Sequence, residues 1–345
     1  MEVIEIKNPE DESLLAAFCK VAVDVYQNDP VWVPQSESVF QQFLMAWQSE
    51  SSPFKRPIVV IQNDRSLARA AAIMPIGVID TLSRPQGYIA FFECLPGFAQ
   101  AGRLALQTCE DLLRRQGAYS VQAPRLDNNL MGLLVKGFDL PHAVLTTHNP
   151  PYYRDIFLTQ GYQVREYLCS YMFSRKVTGL FPLTLPGIRT RTFNRACLEE
   201  EVRVFNYLNT EIFRTHPGYI LRNIDEERQM VKSFLPMLDD DLIIVAETSA
   251  GNPVGFLICL PDIYQAFKGN PVDSARLITI GAIPSLASKG IGVLMGLHLM
   301  RNLFAKGYQT MEASWIRETN APPKNLAKRF KGQPGREFAL FEKIL

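Results

Sequence analysis

Short apolar runs alternate along the chain with segments in which apolar residues recur every three or four positions. The runs predict buried strands, and the three-to-four-residue spacing predicts amphipathic helices. In the first half this pattern predicts a strand, two helices, a strand hairpin, a further strand, a helix and another strand. The predicted elements include helices over residues 37–47 and 98–115 and strands over residues 58–62, 66–75 and 88–94. The order predicts an α/β (α+β) fold.

The same kind of pattern repeats after a segment that contains Gly179, Pro182 and Pro186. Glycine and proline clustered between periodic segments are typical of a loop or linker. A chain of 345 residues is also long enough for two hydrophobic cores. We therefore expect one domain over residues 1–178 and a second over residues 186–345.

A long stretch without clear periodicity, residues 124–151, lies near the end of the first half. Long loops of this kind are often functional. His148 lies in it, and the aromatic pair Tyr152 and Tyr153 follows it. The tyrosines either line a substrate pocket or begin and pack a helix, and packing is the more common role of aromatic residues. His148 is either a base or a structural residue.

One stretch of the second half, residues 277–304, predicts a strand, a glycine-containing loop and a helix. Pro284 ends the apolar strand, because proline cannot donate to a sheet ladder. Gly290 and Gly292 allow the backbone to turn sharply and to approach a ligand closely. The first N–H groups of the following helix have no intrahelical partner, so this start is suited to phosphate. Lys289 adds a positive charge beside it.

Two common phosphate-binding loops do not match this segment. It lacks the third glycine of a dinucleotide-binding fingerprint, since Leu294 and Met295 occupy that region, and it lacks the Gly-Lys-Ser/Thr ending of a P-loop. The run Ile-Pro-x-x-x-x-Lys-Gly-Ile-Gly, between an apolar strand and a helix, instead resembles the acyl-CoA-binding segment of the GNAT superfamily (GCN5-related N-acetyltransferases). The order of the predicted elements in the first half is similar to the GNAT order as well.

The resemblance implies a tandem of two GNAT-like domains, each with a mixed, mostly antiparallel central sheet flanked by helices. It also implies acetyl-CoA or another acyl-CoA as cofactor, bound in the second domain. In GNAT proteins a kink in the central strand opens a wedge for the pantetheine arm, and backbone amides there face the acyl group. The implied positions are Ala282 and Ile283 for the acyl group, Asn320 for the pantetheine, and Ser288, Lys289, Gly290, Ile291, Gly292 and Val293 for the pyrophosphate.

This chain departs from the family pattern at three places. Ala287 stands where GNAT loops usually have Gln or Arg. Ala327 and Lys328 follow Asn320 in the region where a tyrosine often acts as general acid in the family. In the first half the corresponding loop is Glu-Cys-Leu-Pro-Gly-Phe, residues 93–98, without a Gly-x-Gly. We infer that the first domain kept the fold without the pyrophosphate-binding loop.

Transfer of an acyl group to an amine also needs a group that takes a proton from the ammonium nucleophile. Two carboxylates are candidate bases. Glu312 lies on the predicted strand beside the wedge, and Asp262 lies at the end of a predicted hairpin. A carboxylate at a strand end is more often a surface or turn residue, so both assignments stay open.

Composition and charge narrow the classes of partner. The formal net charge is +1, which does not indicate nucleic acid as a main partner. The six dispersed cysteines form no Cys-x-x-Cys pair and predict reduced thiols in a cytoplasmic protein. The four scattered histidines show no metal-ligand spacing, so no metal is expected. The acidic, strand-like N-terminus does not resemble a signal peptide and no apolar run is long enough to span a bilayer, so no membrane partner is expected either.

The leading hypothesis is an acyl-CoA-dependent N-acyltransferase, in which an amine attacks the thioester directly in a ternary complex. Acetyl transfer to a small-molecule amine or a peptide is the expected reaction. A non-catalytic acyl-CoA-binding or sensing protein is the alternative that Ala287 and the missing tyrosine favour. A Fem-type aminoacyl transferase also pairs two such domains, but no heptad run here predicts the long helical arm that this group usually has. Acyl length and oligomeric state stay open.

Overall fold

The structure is a computed structural model that describes residues 1–8, 10–34, 54–80, 82–126, 131–175, 183–214 and 222–345, without the side chain of Ser288. The predicted helix over residues 37–47 and the linker residues 176–182 lie outside these ranges. The chain forms two compact units. Unit 1 comprises Met1–Tyr167 together with Glu337–Leu345, and unit 2 comprises Leu168–Arg336.

The regular elements follow one another in two similar series. The first series is β1 (Glu2–Glu5), α1 (Glu12–Tyr26), β2 (Phe54–Gln62), β3 (Arg65–Met74), β4 (Gln86–Cys94), α2 (Ala99–Arg115), β5 (Ser120–Ala123), β6 (Leu133–Lys136), α3 (Tyr153–Thr159) and β7 (Gln163–Ser174). The second series is β8 (Ile188–Thr192), α4 (Leu198–Phe213), α5 (Ile224–Phe234), β9 (Ile243–Thr248), β10 (Pro253–Pro261), α6 (Tyr264–Phe267), β11 (Ser274–Ala282), α7 (Ile291–Ala305), β12 (Thr310–Arg317), α8 (Ala321–Arg329) and β13 (Gln333–Ile344). Within the part of the chain that the structure describes, no helix has both the length and the apolar character that crossing a membrane requires.

The sheet of unit 1 is mixed and mostly antiparallel. Strands β1 to β4 pair antiparallel in chain order, and β4 runs parallel to β5. The C-terminal part of β13 then pairs antiparallel with β5, with Phe341 opposite Ala123. The last nine residues of the chain, Glu337–Leu345, therefore complete the sheet of unit 1.

Helices cover both faces of this sheet. Successive side chains of a strand point to opposite faces, so neighbouring residues of one strand pack into different cores. In β3, Ala70 and Ala72 pack into the core that also contains buried residues of α2. Ala71 and Ile73 pack into the opposite core with Phe18 of α1. Burial on both faces explains why the strand is almost continuously apolar instead of alternating.

Unit 2 repeats this arrangement. Strands β8, β9, β10 and β11 pair antiparallel, β11 runs parallel to β12, and β12 pairs antiparallel with the second part of β7. Leu257 of β10 packs into a core with Met295 of α7. Its neighbour Phe256 packs into a core on the other face with Phe205 of α4. The central strands of unit 2 are therefore also covered by helices on both faces.

The predicted fold class is confirmed: each unit is a mixed, mostly antiparallel sheet flanked by helices. The long stretch over residues 124–151, which we expected to be irregular, contains the short strand β6, which pairs with β13. In this pairing Leu134 lies opposite Phe338, about 200 residues away in the chain. A local sequence pattern does not show such a distant partner. The two compact units change at Tyr167/Leu168 and at Arg336/Glu337, and the expected domain limits at residues 178 and 186 stay a prediction.

Helix starts differ in how their free N–H groups are satisfied. The Asp11 side chain accepts a hydrogen bond from the amide of Leu14 and caps α1. Asn223 and Glu226 form a capping box at the start of α5. Helix α7 has no side-chain cap among the described residues, and the same is true of α2, α3, α4, α6 and α8. What distinguishes α7 is that it follows Gly290 in the left-handed region, in the loop that the sequence predicts to bind phosphate, so its free N–H groups are the ones of interest for binding.

We predict that Gly296→Ala destabilises unit 2. A Cβ at Gly296, in the middle of α7, would lie 2.8 Å from the buried Phe330 ring. In an unhindered helix the same change stabilises by about 0.5–1 kcal/mol, whereas overpacking a core costs about 1–3 kcal/mol. Urea unfolding should show a net loss for Gly296→Ala.

The control variant is Gly292→Ala, one turn earlier in α7, where the new Cβ would meet Leu326 at 3.7 Å, an ordinary contact. This variant should unfold at the wild-type urea concentration or above it. Equal stability of the two variants would contradict the close packing of α7 against Phe330.

Candidate functional site

Strand β11 carries one extra residue relative to its neighbour β10. Ile258 lies opposite Thr279 and Cys259 lies opposite Leu277, so Ile278 has no partner on β10. A bulge of this kind bends a strand and increases its local twist. The kink that the GNAT resemblance implies for the central strand is therefore located at Ile278.

On its other side, β11 leaves its parallel neighbour β12 at the same point. The two strands pair from Ser274 and Thr310 to Leu277 and Ala313, and the pairing ends there. From Leu277 to Ala282 every residue of β11 is only half-buried. The strands therefore separate where the bulge begins, and one edge of β11 becomes accessible.

The alternation of the sheet decides which amides face this accessible edge. The amide of Ile283 donates to the carbonyl oxygen of Val254 (2.9 Å), so it is already used. In an antiparallel pair, successive residues direct their N–H groups alternately towards and away from the partner strand. With Ile283 directed towards β10, the amides of Ala282 and Ile280 are directed away from it. Of the two amides predicted to face the acyl group, that of Ala282 is directed to the open edge of β11, together with that of Ile280, and that of Ile283 is directed to β10.

The turn after β11 leads directly into the uncapped start of α7. A short 3-10 helix, Pro284–Lys289, is followed by Gly290 in the left-handed region, with φ +85°. Regular helical hydrogen bonds begin where Leu294 donates to the carbonyl oxygen of Gly290 (3.0 Å). The amides of Ile291, Gly292 and Val293 precede that point, at the positive end of the helix dipole. The turn thus has the features that phosphate-binding helix starts require.

The side chains around the turn are small, apolar or exposed. Lys289 and Ala287 are exposed. Gly292 faces apolar neighbours, since a Cβ there would meet Leu326 and Ile280 at 3.7 and 3.9 Å. Asn320, half-buried at the N-terminal end of α8, makes no capping hydrogen bond with its side chain. The surroundings therefore suit an elongated ligand that is apolar along its length and anionic at one end.

A buried charged cluster lies at the closed end of the separation between β11 and β12. Arg276 and Glu312 are opposite each other in the parallel register, and both are 2 % exposed. The guanidinium of Arg336, 3 % exposed, donates to the carboxylate of Glu312. Arg276 donates to the Ser314 hydroxyl (2.9 Å) and to the Ser314 carbonyl oxygen (3.0 Å). Burial lowers the pKa of Arg276 to about 10, against the raising effect of the Glu312 charge.

The charges of both predicted bases, Glu312 and Asp262, raise the pKa of Arg276. Asp262 is 5 % exposed and accepts a hydrogen bond from the amide of Tyr264 (3.3 Å), and its charge also raises the pKa of Arg276. Glu312 is 2 % exposed and accepts a hydrogen bond from Arg336, so it has a structural contact within the protein, and its role as base stays a prediction.

Unit 1 has a similar separation without a similar turn. Between Arg69 and Ala71 on β3, the opposing strand β4 passes from Glu93 to Ala90 and so includes one extra residue. The recorded parallel pairs of β4 and β5 end at Tyr88 and Gln122. One more backbone hydrogen bond follows, from the amide of Arg125 to the carbonyl oxygen of Ile89 (2.8 Å), and the two segments separate after it. A bulge and a strand separation therefore occur in unit 1 as in unit 2.

The start of α2 is tighter than the start of α7. The carbonyl oxygen of Phe98 accepts hydrogen bonds from the amides of Ala101 (2.7 Å) and Gly102 (3.3 Å). In α7 the first such bond comes one position later, at Leu294, so the start of α2 leaves fewer amides without an acceptor than the start of α7 does. This arrangement supports the inference that unit 1 lacks a pyrophosphate-binding loop.

Comparisons with known sequences find full-length but distant relatives. No family model matches the chain. Protein YghO of Escherichia coli (strain K12) is 25 % identical over 375 residues, covering 95 % of this chain and 92 % of the relative. A protein named bacterial ceramide synthase, from Caulobacter vibrioides, is 24 % identical over 385 residues, covering 100 % of this chain and 98 % of the relative.

Solved structures show a closer likeness in fold. A tandem GNAT protein from the clavulanic acid biosynthesis pathway superposes with a TM-score of 0.64 at 12 % identity, covering 99 % of this chain and 98 % of that protein. A GCN5-related N-acetyltransferase from Sphaerobacter thermophilus gives a TM-score of 0.60 at 15 % identity, covering 99 % and 95 %. The chain has the tandem GNAT fold.

Within this tandem GNAT fold, the sequence revealed the loop but not the charged cluster. Gly290 and Gly292 were recognisable because the glycines and the flanking strand and helix are adjacent in the chain. Arg276 and Arg336 were missed, because they meet Glu312 only through strand register and a contact with the last strand. The local signal for Arg276 was its position directly before the apolar strand predicted from Leu277, since an arginine at the end of a buried strand needs a partner.

We predict that Glu312→Gln destabilises the protein strongly, because the variant leaves Arg336 buried without its counter-charge. Removing one partner of a buried ion pair costs about 3–5 kcal/mol. The matched control is Glu337→Gln, which removes the exposed ion pair with Lys136 and should cost about 0–1 kcal/mol. Urea unfolding followed by circular dichroism compares the two. Wild-type stability of Glu312→Gln together with lost turnover would instead identify Glu312 as the base.

Proposed function

We propose that this chain is an acyl-CoA-dependent N-acyltransferase and that unit 2 binds the acyl-CoA. The observation that carries the proposal is the separation of β11 from β12 beside an uncapped helix start. Together they offer a groove for an acyl-pantetheine arm and an anion site for a diphosphate at its end. The GNAT fold, shared with solved acetyltransferases, supports the same assignment.

In this proposal the diphosphate lies against the turn before α7. Its oxygens accept from the backbone amides of residues 288–293, namely Ser288, Lys289, Gly290, Ile291, Gly292 and Val293, and the ammonium group of Lys289 adds attraction. The pantetheine lies between β11 and α8, beside Asn320. Ala287 has no side chain that can form a hydrogen bond, so in this proposal the backbone amides bind the diphosphate.

The chain's contribution to catalysis is positioning and charge stabilisation. Acyl-CoA supplies an activated thioester. The groove holds the thioester carbonyl near the amides of Ala282 and Ile280, which are aimed at the oxygen on which negative charge develops. Holding an amine in line with the carbonyl carbon provides much of the rate acceleration. The amine nitrogen bonds to that carbon, the carbon–sulfur bond breaks with its electron pair on sulfur, and coenzyme A leaves as a thiolate that takes a proton from solvent. The proton lost by the nitrogen passes to a base, for which Asp262 remains the candidate.

The acceptor is proposed to be an amine, and one relative suggests which amines to test. A ceramide is a long-chain amino alcohol acylated on nitrogen, so the name of the Caulobacter relative fits N-acyl transfer. A long-chain amino alcohol therefore belongs beside small amines and peptides in an acceptor panel. The half-buried apolar residues along β11, such as Ile278 and Ile280, are compatible with a long apolar substrate.

A non-catalytic acyl-CoA-binding protein is the second candidate. Ala327 is buried and occupies the helix region where GNAT enzymes often place a tyrosine acid, which favours binding without turnover. The two functions differ in one product. An enzyme releases free coenzyme A thiol when an amine is present, and a binding protein does not.

The proposed function is tested by adding acetyl-CoA or palmitoyl-CoA to the purified protein. Because the ligand binds only the native state, a hundredfold excess over Kd should add about 2.7 kcal/mol of stability and raise the Tm. Thiol release is then followed with an amine panel. A Tm rise with thiol release supports the transferase, and a Tm rise without it supports the binding protein. Absence of any Tm rise with either acyl-CoA would refute both.

We predict that Gly290→Ala weakens acyl-CoA binding about tenfold, or ~1.4 kcal/mol. Gly290 has φ +85°, and a side chain in this region is strained by about 1–2 kcal/mol, so the turn and its amides should shift. Gly251→Ala is the matched control, because Gly251 has φ +86° in the turn between β9 and β10 with no neighbour within 4 Å of the new Cβ. Both variants should lose similar stability, and calorimetric titration should show weaker binding for Gly290→Ala alone. Equal affinities would remove the turn from the binding site.

A further inference from the structure

A cavity in unit 1 lies where β4 and β5 separate. It is open on one side and has a volume of about 80 Å³, whereas a single buried water needs about 10–15 Å³. The cavity is therefore large enough for a small organic molecule. The polar residues that line it are Arg69, Glu93, Arg125, Thr147, His148, Asn149 and Tyr153.

The acidic group of this cavity already has its donors. The carboxylate of Glu93 accepts a hydrogen bond from the Tyr153 hydroxyl (2.6 Å), and its other oxygen lies 3.7 Å from a terminal nitrogen of Arg69. Burial raises the pKa of Glu93, and the Arg69 charge opposes this shift. Glu93 is thus used within the protein and offers little to a cationic ligand.

The basic and hydroxyl groups are less satisfied. Arg69 is 8 % exposed, and its Nε has no hydrogen-bond partner among the described residues. The hydroxyl of Thr147 is also buried without a partner in that part of the chain. Both groups donate hydrogen bonds, and buried donors in native proteins nearly always have an acceptor. Arg125, 3 % exposed, adds a second positive charge to the lining.

The backbone at the cavity is strained as well. Phe91, at the bulge of β4, has φ +54°, a region that a bulky side chain rarely adopts. Phe91 also lines the cavity. Strained conformations of this kind cluster at ligand-binding and active sites, because the surrounding structure must hold them in place.

We propose that the cavity of unit 1 binds a small monocarboxylate. The carboxylate oxygens accept hydrogen bonds from Nε of Arg69 and from the hydroxyl of Thr147. Arg69 and Arg125 together exceed the charge of Glu93 by one positive charge, which a buried anion requires. The apolar remainder of the ligand contacts Phe91 and Leu133, which also line the cavity. This site does not depend on the acyl-CoA proposal for unit 2.

The test measures the Tm of the full-length protein with sodium propionate at constant ionic strength. Two controls have the same number of carbon atoms as propionate. Propionamide is uncharged, and propylammonium, added as its chloride, is positively charged. Thr147→Val removes the hydroxyl, and Thr147→Ser is the control that keeps it. We change Thr147 and not Arg69, because Arg69→Gln would leave Glu93 buried without its ion-pair partner and could unfold the protein. No acyl-CoA is present, so the result is separate from the test of unit 2.

We expect propionate at about ten times its Kd to raise the Tm by about 2–4 °C in the wild type and in Thr147→Ser. The rise should be at least halved in Thr147→Val, and propionamide should give none. The proposal is overturned if propionate has no effect beyond sodium chloride, if Thr147→Val responds like the wild type, or if propylammonium gives the larger rise.

Discussion

The separation of β11 from β12 after Leu277 and Ala313 is the constraint on which unit 2 depends. In a closed sheet, both edges of a central strand would be paired and no backbone amide would remain for a ligand. The bulge at Ile278 bends β11 away from β12 while its pairing with β10 continues. The edge that opens carries the amides of Ile280 and Ala282. The same strand ends at the turn that begins α7, so one bend positions both parts of the proposed site.

The charged cluster at the closed end of the separation supports this geometry. Arg276, Glu312 and Arg336 are all buried, and their side-chain contacts link β11, β12 and β13 next to the last paired residues, Leu277 and Ala313. Buried charges are costly unless they are paired, so separating these strands further would break costly contacts. We interpret it as the element that limits how far β11 and β12 separate.

The two units apply the same sheet design to different ligands. Each has a bulged central strand that leaves a parallel neighbour, at Ile278 in unit 2 and at Phe91 in unit 1. Unit 2 joins this feature to an uncapped helix start and mostly apolar walls. Unit 1 joins it to a polar cavity with Arg69 and Glu93. The shared backbone explains the tandem fold, and the side chains at each separation explain why the proposed ligands differ.

Local features were predictable from the sequence, and contacts between distant segments were not. Pro284, Gly290 and Gly292 identify the loop because each residue has its effect where it stands in the chain. The strand β6 and the pair of Glu312 with Arg336 depend on registers that no nearby residue determines. Ala282 and Ile283 were both predicted to face the acyl group, but the amides of adjacent strand residues are directed to opposite edges, so only that of Ala282 is on the open edge. Tyr153 was expected to pack a helix, and its hydroxyl also donates to Glu93 in the cavity.

Hydrogen exchange of backbone amides, with and without acetyl-CoA, tests the central claim most directly. If the open edge of β11 and the start of α7 bind the cofactor, exchange should slow over residues 280–293 and stay unchanged over residues 97–102 at the start of α2. Slower exchange over residues 97–102 with no change over residues 280–293 would contradict the account and place the cofactor in unit 1.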